Sequence, residues 1–168
     1  MKNSPLVLRP LSSTTGVEIS GVDLRQPLSE AAAGEIRDAL NVWGAVFFRD
    51  QDITPGQQVA FARHFGTVAV RTHPTSMSRI DGHPELAEIR RKPEDGRNTG
   101  GFWHTDQCFL DDPPLGSVLY AKELPDRGGD TMFAHMGAAC GQLSDGLRDM
   151  LRGLKAVHVR LNYHGIDG

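Results

Sequence analysis

Cysteine is nearly absent. Cys108 and Cys140 are the only two in 168 residues, and they lie in no C-x-x-C spacing. That excludes a disulfide framework and fits a reducing compartment, so the expected location is the cytoplasm. Long apolar runs are missing too. No stretch approaches the ~18 residues of a membrane-spanning helix, and Met1-Lys2-Asn3-Ser4-Pro5 leads into no apolar signal segment. Neither an export signal nor a membrane partner is expected. No charge of one sign dominates: 18 Lys and Arg against 21 Asp and Glu leave a net charge of −3, with no basic cluster to follow a phosphate backbone. Nucleic acid is not an expected partner.

What is present is an ordinary globular composition, 39% hydrophobic, in a chain long enough for one domain over residues 1–168. A chain of this size closes a core without disulfides or a structural metal, so any metal it holds is functional. Leu6-Val7-Leu8 and the stretch 16–24 read as strands. Ser29 stands at an N-cap position, and Ile36, Ala39, Leu40 and Trp43 recur at helical spacing before Gly44. Ala45-Val46-Phe47-Phe48 is a continuous apolar run, read as a central strand buried on both faces. Thr54-Pro55 opens a second helix, with Phe61 and Phe65 stacked one turn apart and Gly66 closing it.

Residues 74–101 are rich in Gly, Pro, Asp, Arg and Asn and read as loop, with Leu86-Ala87-Glu88-Ile89 alone resembling a strand. Such a loop is a candidate lid. Strand-like segments follow at 102–108, 116–122 and 131–135, separated by Pro- and Gly-rich turns, a spacing that indicates a sandwich or barrel. Ser144 then starts a helix carrying Leu147, Met150, Leu151 and Leu154 on one stripe, with Gly153 near its end, before a last strand at 156–163. The fold class is mainly β with flanking helices, α+β.

The densest cluster of chemically capable residues is Trp103-His104-Thr105-Asp106. On a strand, residues two apart share a face, so the His104 imidazole and the Asp106 carboxylate converge. Together they supply two-thirds of a two-His-one-carboxylate triad, which leaves coordination positions open on Fe(II). Alone, His-x-Asp also describes a hydrogen-bonded couple, or the ligands of a Zn hydrolase working through metal-bound water.

The motif is followed in order by Phe109, Pro113-Pro114, Ser117-Val118-Leu119-Tyr120-Ala121, Leu124-Pro125 and Gly128-Gly129-Asp130-Thr131. It is preceded by the stretch 16–24, Val46 to Gln51, Thr54-Pro55 and Phe65-Gly66. This series resembles the taurine dioxygenase (TauD/TfdA) family over nearly the whole chain. The resemblance implies a double-stranded β-helix, a jelly-roll of cupin type, that holds Fe(II) and takes 2-oxoglutarate as co-substrate. It implies hydroxylation of a small, anionic organic substrate by O2, with release of succinate and carbon dioxide. His104 and Asp106 match metal ligands, and Thr131 matches the hydroxyl that helps hold the distal carboxylate of 2-oxoglutarate. His73 lies near a substrate-contacting histidine of taurine-specific members. Gly100 stands where those members carry asparagine, which leaves sulfonates, sulfate esters, aryloxy acids and small carboxylic acids open as substrates. Arg90, Arg91 and Arg97 could draw an anion to the lid.

The family's second histidine ligand and its oxoglutarate-binding arginine fall beyond residue 168. The expectation is therefore a jelly-roll incomplete at its C-terminus, a fragment or truncation. Among the remaining histidines, His64 is read as surface or packing and His83 as a solvated loop residue. His135 is read as a strand residue of the same parity as Thr131, and His158 and His164 as flanking the last strand. A non-catalytic jelly-roll module, with a homo-oligomer formed through an unpaired strand edge, is the alternative to catalysis.

Overall fold

The computed structural model describes residues 6–70, 78–92 and 102–159. A three-stranded sheet opens the chain, made of β1 (Val7–Pro10), β2 (Val17–Ser20) and β3 (Val46–Phe47) in that spatial order. β1 pairs antiparallel with β2, Val7 opposite Ser20, and β2 pairs parallel with β3, Val17 opposite Val46. A parallel pair needs a crossover, and α1 (Glu30–Trp43) supplies it.

Local chemistry sets the ends of α1. The Ser29 side chain accepts from the Ala32 N–H, while Gly44, at φ +69, closes the helix with its N–H on the Leu40 carbonyl. The face carrying Ala32, Ala33, Ile36 and Ala39 is buried. β2 alternates with a period of two, Val17 and Ile19 inward and Glu18 outward. α2 (Pro55–Arg63) starts in a full capping box: Thr54 Oγ1 accepts from the Gln57 N–H, and Gln57 Oε1 accepts from the Thr54 N–H. Val17, Ile19, Leu24, Ile36, Ala39, Ile53 and Phe61 form the core, with Trp43, Phe48, Phe65 and Tyr120 packed against it. Each such Ile or Phe contributes on the order of 1.5–3 kcal/mol by leaving water.

Several expectations are corrected. The apolar run 45–48 does not form a central strand: β3 is two residues long, lies at the sheet edge among the described residues, and is half-buried. β2 takes the centre because it has a partner on each side. The stretch 74–101 contains a hairpin, β4 (Ser78–Ile80) and β5 (His83–Glu88), turning at Asp81-Gly82 with Gly82 at φ +77. His83 is therefore a half-buried strand residue rather than a solvated loop residue.

No strand is present among the described residues after Glu88. The segments 102–108, 116–122 and 131–135 run without ladder partners, as do residues 156–159 of the expected last strand; residues 160–163 lie outside the described part. An extended segment becomes a strand only when its N–H and C=O groups find a neighbour. The regular elements after residue 101 among the described residues are two helices, α3 (Met136–Gly141), which the sequence reading lacked, and α4 (Asp145–Arg152), capped by Ser144 and ending at Gly153 as expected. No residue from 102 to 159 is buried.

Candidate metal and oxoglutarate site

Residues 102–135 hang on the core through a few specific ties. Tyr120 Oη donates to the Gln51 carbonyl at 3.0 Å and accepts from the Ile53 N–H at 3.3 Å. Gln58 Nε2 donates to the Val118 carbonyl at 3.1 Å. Phe133 meets Phe47 edge-on, with centroids 5.8 Å apart. These contacts position the candidate site on the scaffold.

His104 and Asp106 converge in a segment that joins no strand ladder. The chain reverses over 106–109, where Gln107 adopts φ +54 and the Leu110 N–H bonds back to the Gln107 carbonyl. His104 Nε2 then lies 3.3 Å from Asp106 Oδ1. His104 Nδ1 lies 2.8 Å from the Phe102 carbonyl, which can only accept, so the proton of a neutral ring sits on Nδ1. That leaves the Nε2 lone pair facing a carboxylate oxygen. Two acceptors facing each other at this distance repel, and a cation between them relieves the repulsion.

The donor set fits a metal. Two ligands each ~2.1 Å from an ion, at right angles, are about 3.0 Å apart, close to the observed separation. The second carboxylate oxygen, Oδ2, accepts from Ser117 Oγ at 3.4 Å, which leaves Oδ1 for the ion. Both side chains are about half exposed, 42% and 52%, so the site is open to small molecules. Among the described residues no third His, Cys, Asp or Glu joins them.

Thr131 is exposed and forms no hydrogen bond with His104 or Asp106 among the described residues. His73, Gly100, Arg97 and His164 lie outside the described residues. Arg90 and Arg91 follow β5 and are exposed. His64 is the half-buried C-cap of α2, in keeping with its packing role. His135 is not a strand residue beside Thr131: it caps α3. Ser117 and the Phe102 carbonyl are the partners that the sequence reading missed. Ser117 lies eleven residues from Asp106, and no local pattern announces the contact.

By its fold the chain is similar to a taurine dioxygenase from Burkholderia xenovorans, on which it superposes with a TM-score of 0.74 and 36% identity, over 88% of this chain and 51% of that one. The chain belongs to the taurine catabolism dioxygenase TauD, TfdA family, whose model matches residues 8–167. It is 32% identical to the alpha-ketoglutarate-dependent 2,4-dichlorophenoxyacetate dioxygenase of Cupriavidus pinatubonensis, over 94% of this chain and 59% of that protein. It is 33% identical to the alpha-ketoglutarate-dependent sulfonate dioxygenase of Saccharomyces cerevisiae, over 91% and 39%. With the alpha-ketoglutarate-dependent sulfate ester dioxygenase of Pseudomonas putida the identity is 34%, over 91% and 49%. The chain thus spans about half the length of these relatives. No helix among the described residues is long and apolar enough to cross a membrane.

Proposed function

We propose that this chain carries part of the active site of an Fe(II)- and 2-oxoglutarate-dependent dioxygenase, residues 1–168 forming one unit of its jelly-roll domain. The observation that carries this reading is the opposed pair of acceptors, His104 Nε2 and Asp106 Oδ1, 3.3 Å apart with the ring proton held on the far nitrogen. His104 and Asp106 hold the metal, and Thr131 donates to the distal carboxylate of 2-oxoglutarate. Bound there, Fe(II) supplies the dioxygen chemistry that no side chain can perform. The chain's own residues orient and select. The Phe102 carbonyl fixes the His104 tautomer, Ser117 steers the Asp106 carboxylate, and Arg90 and Arg91 draw an anion towards the opening.

The substrate in this proposal is a small organic anion. Support comes from relatives named for 2,4-dichlorophenoxyacetate, sulfonates and sulfate esters, which share a negative charge beside an oxidisable carbon skeleton. The third ligand and the cation that pairs with 2-oxoglutarate are placed outside the described residues. The apolar side chains exposed at Trp103, Leu119, Leu124 and Met132 are then covered in the whole protein by further strands.

Titration with Mn(II), followed by paramagnetic broadening of imidazole NMR signals, tests the site. His104 broadens first among the histidines, and His104→Ala or Asp106→Ala abolishes broadening at this site. Broadening spread evenly over all seven histidines would overturn the reading. Succinate release from 2-oxoglutarate by the whole protein with Fe(II) separates the dioxygenase from a Zn hydrolase, which releases none.

A further inference from the structure

His135 stands at a junction that neither the metal donors nor the oxoglutarate position uses. Its half-buried ring makes two hydrogen bonds to main chain in different parts of the fold. Nε2–H donates to the Val42 carbonyl, in the last turn of α1, at 3.1 Å and across 93 residues of sequence. Nδ1 accepts from the Ala138 N–H at 3.1 Å and so caps α3. A carbonyl can only accept and a backbone N–H can only donate, so one neutral tautomer satisfies both contacts. Two glycines make room for the ring. A Cβ at Gly44 would stand 3.2 Å from Cδ2, and one at Gly137 would stand 2.9 Å from Cε1. Two residues earlier, Phe133 packs against Phe47 of β3.

We propose that His135 is a positioning residue: its neutral ring clasps residues 131–141 onto the corner where α1 gives way to β3. What this does for Thr131, four residues upstream, rests on the oxoglutarate reading above; the clasp itself does not. Among the elements packed around the ring, α1 carries Glu30, Glu35, Arg37 and Asp38, α3 carries Cys140, and β3 carries no titratable group. None of these side chains forms a hydrogen bond or ion pair with the ring in the described structure.

Amide hydrogen exchange of the 168-residue chain at pH 8, read as protection factors, tests the clasp. In His135→Ala, protection at Ala138 and Ala139 falls about tenfold, the scale of a lost N-cap, while Val59 and Phe61 in α2 hold theirs. His135→Asn keeps a capping oxygen and restores most of that protection. Gly44→Ala, which presses a methyl group on the ring, lowers it again. Unchanged α3 protection in His135→Ala, an equal loss in His135→Asn, or unchanged α3 protection in Gly44→Ala overturns the proposal. Failure of the Mn(II) titration with the exchange profile intact would remove the role assigned to Thr131 and leave the clasp; the reverse pattern would remove the clasp alone.

Discussion

Tyr120→Phe deletes one oxygen and keeps the ring. That oxygen joins residues 116–122 to the loop between β3 and α2, donating to the Gln51 carbonyl at 3.0 Å and accepting from the Ile53 N–H at 3.3 Å. The ring packs against the core cluster, with the Lys122 ammonium 4.4 Å from its centroid, and phenylalanine retains both contacts. Two neutral hydrogen bonds are worth about 1 kcal/mol each, net of water. Ile53 is 5% exposed, so its amide is poorly placed to find water in exchange, whereas the Gln51 carbonyl, on a half-buried residue, can recover part of its loss. The sum is a destabilisation of about 2 kcal/mol. With a urea slope of about 2 kcal/mol/M, the unfolding midpoint falls by about 1 M at unchanged slope. A shift under about 0.3 M at unchanged slope would refute the reasoning, because it would mean that the segment leading to Ser117 and Asp106 is not tied to the core through this hydroxyl.

Opposite signs are expected from two glycines near and within the same helix. Gly34→Ala, in the interior of α1 with nothing within 4 Å of the new Cβ, stabilises by about 0.5–1 kcal/mol; Gly44→Ala, at φ +69 against the His135 ring, destabilises by about 1–2 kcal/mol, and paired urea curves read both. Thr54→Ala removes the acceptor of the capping box and costs about 1 kcal/mol in the same assay. The Arg9 guanidinium, hydrogen-bonded to Glu18 at 3.0 Å and helped by Arg49 at 3.3 Å, holds the Glu18 carboxyl below its ordinary value. A carboxylate shifted that way contributes stability that is present above about pH 4.3 and is lost as pH falls through the lower folded value. Thermal unfolding between pH 3 and pH 6 should therefore show a shallower acid decline in Glu18→Gln than in the wild type.

Helices were legible because their signals are local. Ser29, Gly44, Thr54-Pro55, Ser144 and Gly153 each act within a turn of where they stand, and all serve as caps or first-turn residues in the structure. The hairpin β4–β5 carried an equally local signal, Asp81-Gly82 at the turn, but its strands Ser78–Ile80 and His83–Glu88 are mostly polar, and the surrounding Pro and Arg residues obscured it. Strands after residue 101 were not legible in the same way. Alternation shows which face a segment would bury, but whether it is a strand depends on a neighbour elsewhere in the sequence, and these segments have none among the described residues. α3 was missed because its cap is a histidine, a residue type that capping statistics do not favour, working through a ring nitrogen.

The donor pair converges as the parity of positions 104 and 106 predicts, although residues 103–105 join no ladder and the turn over 106–109 begins only at Asp106. Spacing alone could not separate a hydrogen-bonded couple from a metal site, since both place an imidazole beside a carboxylate. The Phe102 carbonyl narrows the choice: by holding the proton of Nδ1 at 2.8 Å, it denies a neutral His104 any proton to offer Asp106, and these two facing acceptors, 3.3 Å apart, are the observation on which the proposed metal site rests.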